Sequence, residues 1–565
     1  MMNAMQNLRP LILAGLIIIG SFNSLHAQEK KKSYSEEVTV TAPYEPSITD
    51  ANKISFQPKI SDTAMHFQKQ SYLIKPFLFQ TGVTIKPLDA ARVSGESPKP
   101  LFRNYLKGGL GTNNSPYAEF FASSAANPNH LITFHLKHLS STGHINDQWF
   151  PGFSENLGEL SGKLFTDMNV LSFSAAYSRD VNHFYAPKLF KGTKLFEPTQ
   201  DSLKQRFNLI SGSFELKSRS DEEDAFTYSL KTDVSNVADY YKTSELNIKV
   251  KGMIQKSTDW LTFAKHQYLG VDVLVDNNTL KNTAKSSTST LVEVIPSYRF
   301  LFDEYQVDFG MKTDFFSDSI THLTIYPIVD ASVQLVPDRL VALAGISGGL
   351  KNYNFNTLRL TNPFISSLTG VVTSNERFGL YAAIKGNIAQ RVDLEARFET
   401  KIIDNMPLFV NDTIRKSYQR RFNVITDDIN LIKILFSARY IGDNFHISLE
   451  GNWNKYSPNA ELYAWNCPEM EGQVEAGVTL NKQWSINTEI FSWGDSYAKT
   501  WNLSNQPVAK KLKGATDINF GINYHPINRF DVFLNLNNLL NKNYERWNLY
   551  PSFGFNAMAG VSFSF

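Results

Sequence analysis

The sequence predicts an all-β fold, a transmembrane antiparallel β-barrel of about 22 strands with short periplasmic turns and long extracellular loops. Three features carry this expectation: a final strand of alternating character, a regular succession of short turns and long connections, and an apolar leader. In the final strand Phe555, Ala557, Ala559, Val561, Phe563 and Phe565 fall on one face, and Asn556, Met558, Gly560, Ser562 and Ser564 on the other. Successive side chains of a strand point to opposite sides, so one side of this strand suits lipid and the other a watery lumen. The closing aromatic, Phe565, is the expected barrel-assembly end of that wall.

The leader has Arg9 for positive charge, residues 11–20 for an apolar stretch, and Leu25-His26-Ala27 as a cleavage pattern before Gln28. That combination reads as a secretory signal over 1–27, so the mature protein is expected to be exported. Composition agrees with a barrel. The 565 residues include 41 Phe and 24 Tyr, yet mean hydropathy is -0.26, and no later segment offers the roughly 18 apolar residues of a membrane helix. Strands that alternate lipid-facing and lumen-facing residues produce such a balance. A net charge of +2 supplies no basic field for nucleic acid. The single cysteine, Cys467, excludes an intramolecular disulfide framework.

From residue 101 onward one rhythm repeats. Tight turns are expected at Asn127-Pro128-Asn129-His130, Thr166-Asp167-Met168-Asn169, 219–224, Ser257-Thr258-Asp259, Asp303-Glu304, Val336-Pro337-Asp338-Arg339, Ala389-Gln390-Arg391, Gly442-Asp443-Asn444, Asn481-Lys482-Gln483 and His525-Pro526-Ile527-Asn528. Pro, Asn, Asp and Gly dominate them because these residues preset or tolerate turn dihedrals. Longer connections are expected at 177–205, 352–376, 403–429 and 541–554. Ten short turns with both ends of the barrel on one side imply about 22 strands.

The faces sort consistently. Phe445, Ile447, Leu449 and Gly451 oppose His446, Ser448, Glu450 and Asn452; Val392, Leu394, Ala396 and Phe398 oppose Asp393, Glu395, Arg397 and Glu399; Leu246, Ile248 and Val250 oppose Asn247, Lys249 and Lys251. The charged sets are expected inward, since a lipid-facing Arg or Lys at the bilayer midplane costs about 2–4 kcal/mol.

Residues 531–547 run from a penultimate strand, Asp531-Val532-Phe533-Leu534-Asn535-Leu536, into Asn537-Asn538-Leu539-Leu540-Asn541-Lys542-Asn543-Tyr544, followed by a loop and the Phe-ended strand. This resembles the C-terminal end of TonB-dependent outer-membrane receptors, and implies a barrel of about 22 strands. Near the expected mature N-terminus, Glu37, Val38, Thr39, Val40, Thr41 and Ala42 resemble the TonB box of the same family. That box is a short extended segment that pairs by strand addition with a TonB-type periplasmic protein. The chain departs from the family between these points. About sixty residues separate Ala42 from Phe102, much shorter than the family's plug domain, so the expected organisation is a leader at 1–27, a periplasmic N-terminal segment without a full plug at 28–100, and a barrel at 101–565.

A lumen of this size needs an occupant or a cover, because transporters of about 22 strands have plugged lumens. Three candidates present themselves: the Pro-rich stretch 44–100, inward-folding loops such as 352–376 or 403–429, or a separate partner protein.

Enzyme signatures are missing: no Gly-x-Ser-x-Gly, His-Glu-x-x-His, P-loop or paired-Cys metal spacing occurs. His130 and His138 fall on the face opposite to His135, so the three cannot share one metal within a strand. No catalytic residue, metal or cofactor is therefore expected. Trp149, Trp465 and Trp501 lie deep in loops and are candidates for contact with a ligand or surface partner, or members of the aromatic girdle. The run Lys510-Lys511-Leu512-Lys513 is placed to meet lipopolysaccharide or to stand in solvent. The functional expectation is ligand uptake across the outer membrane, coupled through the N-terminal segment. The alternative is a plug-less barrel acting as a scaffold in an outer-membrane complex, with a periplasmic or surface protein as partner.

Overall fold

The computed structural model describes residues 102–565 apart from 125–126, 188–197, 220–224, 319–320, 390, 413–420, 482, 503 and 505. The leader, the segment 28–100 and its hexapeptide 37–42 lie outside the described residues.

The sheet has 22 strands, each hydrogen-bonded antiparallel to its neighbours. Its first strand, Asn104–Gly111, pairs with its last, Asn556–Ser564, and the sheet closes on itself. Closure removes every unpaired edge, the condition for a β-structure to stand in hydrocarbon. The described residues of the ten expected turns lie at junctions of consecutive strands, while 220–224, 390 and 482 of those turns lie outside the described residues. Asp338 and Asn481 adopt left-handed backbone there, φ 57° and 52°, which their short polar side chains tolerate. Two boundaries move: strand Ser244–Thr258 continues through two of the three residues expected to turn at 257–259, and strand Ala515–Ile527 through three of the four at 525–528. The connection expected at 403–429 is also corrected, since its ends form the outer parts of two 20-residue strands, Val392–Asn411 and Phe422–Ile441. Asp404-Asn405 reads as a loop signal in sequence; here it marks a register shift in the ladder between Ile403 and Met406, a bulge rather than a break.

The two faces of the wall separate as anticipated. Phe445, Ile447, Leu449, Phe398, Leu246, Ile248, Val561 and Phe563 are exposed on the outside. On the inner face charges pair across strands, Arg299 with Asp308 (2.9 Å), Lys249 with Asp276 (3.1 Å), Lys312 with Glu293 (3.1 Å) and Lys401 with Glu376 (3.2 Å), and along one strand, Arg397 with Glu399. An apolar outer belt around a closed barrel with a charged interior is the architecture of an integral outer-membrane protein.

The seam depends on small residues. Gly109 lies opposite Gly560, and the Phe533 ring, 2% exposed, covers both from the lumen side. Phe565 closes the wall by exchanging two backbone hydrogen bonds with Asn104 (3.0 and 2.9 Å).

Candidate functional site: the closed mouth of the barrel

The largest apolar core lies inside the barrel mouth, where loops from different parts of the ring meet. Loop 354–371, between strands Leu340–Tyr353 and Val372–Asn387, carries a helix, Phe355–Thr361, capped by Asn354, whose Oδ1 accepts from Thr357 N–H. Asn is favoured at this position because its side chain satisfies an otherwise unpaired helix N–H. The opening amides of the helix, from Phe355 and Asn356, also donate to the Glu245 carboxylate at 2.6 and 3.0 Å. Phe355 and Leu358 are fully buried beneath it.

This loop reaches far around the ring. It leaves from the thirteenth strand, yet Arg359 Nη1 donates to Asp180 Oδ2 on the fifth at 3.2 Å. Its guanidinium also lies over the Phe207 ring, 5.0 Å from the centroid, and is only 4% exposed. Burial pulls this guanidinium below its ordinary pKa, and Asp180 pulls it back up. Thr243 Oγ1 donates to the Ser367 carbonyl (2.6 Å), tying the far end of the loop to the same wall.

A second loop, 538–555, comes from between the last two strands. Tyr550 stacks on Phe364 of the first loop with centroids 3.6 Å apart, and Tyr185 packs against both rings. Trp547 sits edge-on to Phe409 and Phe422. Asn548 donates to Asn411 Oδ1 (2.6 Å), and Arg546 pairs with Glu471 (2.7 Å). The two loops thus lean on each other over the mouth and are anchored to opposite parts of the wall.

The tryptophans anticipated for ligand or partner contact occupy three different settings. Trp149 packs at the margin of the mouth core against Phe150, in a short ladder with Ala186. Trp465 is 3% exposed in a second core with Leu408, Val410 and Ile429, its indole N–H donating to Glu461. Trp501 is half-buried at the end of strand Ser496–Trp501, which pairs with Pro507–Leu512 in an outer hairpin. The structure therefore does not bring the three rings into one site. Of the nearby lysines, Lys510 pairs with Glu545 and Lys511 with Asp495. The Asp495 carboxyl is held below its usual pKa first by the hydrogen bond from Lys511 and then by the Gly514 amide. His135 bonds Glu119 and His138 bonds Asn156, on opposite faces of their strand. Among the described residues no three His, Cys, Asp or Glu side chains converge as a metal site.

Sequence reasoning named the region of one closing loop, 352–376, but none of the contacts that close it. Arg359, Asp180, Glu245, Phe364 and Tyr550 carry no motif; the only available signal was the helix start Asn354-Phe355-Asn356-Thr357, with its capping residue.

The backbone matches several solved outer-membrane proteins. The FrpB iron transporter from Neisseria meningitidis (F3-3 variant) superimposes with a TM-score of 0.62 at 11% identity, covering 83% of this chain and 82% of that one. The pyoverdine outer membrane receptor FpvA from Pseudomonas aeruginosa PAO1 gives 0.61 at 9%, covering 83% and 79%. The siderophore receptor PirA from Acinetobacter baumannii gives 0.61 at 9%, covering 83% and 81%. The chain has the barrel fold of these receptors. The barrel implied by the C-terminal Asn-Asn-Leu-Leu-Asn-Lys resemblance is thereby borne out, and at such identities the likeness is one of fold. No protein-family profile matches the chain, and no curated protein matches it in sequence.

Proposed function

We propose that the chain is an outer-membrane uptake barrel whose outer mouth is gated by its own loops. The segment 28–100 couples that gate, through residues 37–42, to a TonB-type periplasmic protein. The observation that carries this reading is the pairing of a charged inner wall with a mouth closed by two interlocking loops, whose principal anchor is the Arg359–Asp180 contact. A wall lined by paired charges is suited to polar solutes, and two loops that lean on each other form a gate that a ligand or a pull from below can shift. The fold neighbours include an iron transporter, a pyoverdine receptor and a siderophore receptor, so ferric pyoverdine and a second ferric siderophore are the first probes.

The scaffold reading has one observation in its favour. The rings of Phe364, Tyr550, Trp547 and Phe422 pack as closely as a protein interior, which suits a mouth that stays shut. Deleting 37–42 separates the readings. Loss of energised uptake of the ferric probes, with normal membrane insertion, supports coupled transport. Unchanged uptake overturns the coupling. A barrel that neither transports the probes nor conducts in planar bilayers after removal of 28–100 favours the scaffold.

A further inference from the structure

On the outside of the barrel, above the apolar belt, lies a band of polar and basic side chains that passage through the lumen does not use. Cross-strand register places His138 opposite Asn156, Asn156 opposite Arg179, and Arg179 opposite Asn208. Directly paired residues of antiparallel strands share a face. These four therefore form one row on the side where Phe134, Leu160, Tyr177 and Ile210 are exposed to lipid. One row higher stands Arg206, with its guanidinium 5.6 Å from the Tyr240 ring centroid; Lys204 Nζ lies 5.9 Å from the same ring.

Height is the first argument. Arg206 is ten residues above Leu216 on the strand Lys204–Ser218, about 33 Å along the strand. With a tilt of about 40°, that is about 25 Å of height, the full apolar belt of such a barrel. The band stands where the head groups of the outer leaflet begin.

Charge is the second. Arg179 and Arg206 make no ion pair among the described residues, and the Arg206 Nε–H is buried without an acceptor. Lys204 meets only Asp201, at 3.7 Å, and that carboxylate is 78% exposed. Elsewhere on the wall the exposed Arg377 is already neutralised by Asp404 at 2.9 Å. A guanidinium held on an aromatic face keeps its planar donor fork free for the oxygens of phosphate.

We propose that Arg179, Lys204 and Arg206, backed by Tyr240, form a binding site for the phosphate groups of the outer leaflet's glycolipid. The acyl chains would lie on the belt beneath, against Ile210, Tyr177 and Val234. Lipid binding here is independent of passage through the lumen, so it stands or falls separately from uptake.

The test uses the full chain in phosphatidylcholine nanodiscs and native mass spectrometry to count retained bisphosphorylated lipid A. Wild type and Arg377→Gln are expected to hold lipid A equally. Its dephosphorylated form should bind at least tenfold more weakly, and the triple variant Arg179→Gln/Lys204→Gln/Arg206→Gln should lose binding by a similar factor. Equal retention by the triple variant overturns the site, as does equal binding of dephosphorylated lipid A. Inorganic pyrophosphate competing as strongly as lipid A would make it a soluble-anion site and overturn the lipid assignment. Folding is checked by the heat-dependent gel shift of intact barrels. If the triple variant lacks that shift, Arg206→Gln alone decides, with a threefold drop expected and no change overturning the proposal.

Discussion

Arg359, on a loop leaving the thirteenth strand, bonds Asp180 on the fifth (Nη1–Oδ2 3.2 Å), and so spans the mouth with one contact between a buried guanidinium and a half-buried carboxylate. Removing one partner of a fully buried pair costs about 3–5 kcal/mol, mainly because the other charge is left desolvated; with Asp180 29% exposed the cost here falls below that range. Asp180→Asn strands the more buried partner and is expected to loosen the mouth most. The double variant Asp180→Asn/Arg359→Gln should cost less than the sum of the singles. Single-channel conductance in planar bilayers is the measurement: Asp180→Asn should raise the open fraction above wild type, and a silent channel would remove this pair from the gate.

The second hinge of closure is aromatic. Tyr550 stacks on Phe364 at 3.6 Å and is 5% exposed. Truncating a buried ring costs about 3–5 kcal/mol, and the stacked pair itself adds about 1 kcal/mol. Tyr550→Ala is expected to raise amide exchange in 354–371 and 538–555 together, since each loop is the other's packing surface. Faster exchange confined to 538–555 would show that the first loop is held by Glu245 and Asp180 alone.

The barrel was legible in the sequence because its determinants are local. Two-residue alternation, as in Phe445 to Asn452, needs only its own strand, and a Pro-Asn or Pro-Asp turn needs only four residues. The mouth was not legible, because its contacts join residues far apart: Phe355 with Glu245, Arg359 with Asp180, Asn548 with Asn411. Trp465 shows the same limit. Its loop position and chemistry are those of a surface platform, and only the arrival of Leu408 and Ile429 makes it core.

The outer hairpin should respond to acid. Lys511 holds the Asp495 carboxyl below its usual value, so the contact stabilises the hairpin base above the unfolded-state value of about 3.9. That stabilisation falls away as pH drops through the lowered folded value. Both groups are exposed, so salt should weaken the contact as well. Hydrogen exchange at Gly514, whose amide bonds Asp495, is expected to quicken relative to neighbouring barrel amides between pH 5 and strongly acidic conditions, about pH 2. Asp495→Asn should abolish that difference; a persistent difference would assign the acid response to another group.

Closure of the barrel rests on Gly560. A Cβ there would overlap the Gly108 carbonyl oxygen and crowd the Phe533 ring, and one at Gly109 would lie 2.9 Å from Phe533 Cζ. Neither glycine is placed for turning; both lie within paired strands, so the requirement is space, not dihedral freedom. Overpacking of this kind costs about 1–3 kcal/mol, and the backbone of Gly108 and Gly109 on one side cannot yield as the Phe533 ring can. Gly560→Ala is therefore expected to slow barrel closure and lower the yield of heat-shifted protein on refolding. Adding Phe533→Leu frees only the ring's space and leaves the overlap with the Gly108 carbonyl and Gly109 Cα, so it should restore little of the yield. Full refolding of Gly560→Ala alone would mean that the seam relaxes around the methyl group, and that Phe533 does not set the spacing of the first and last strands.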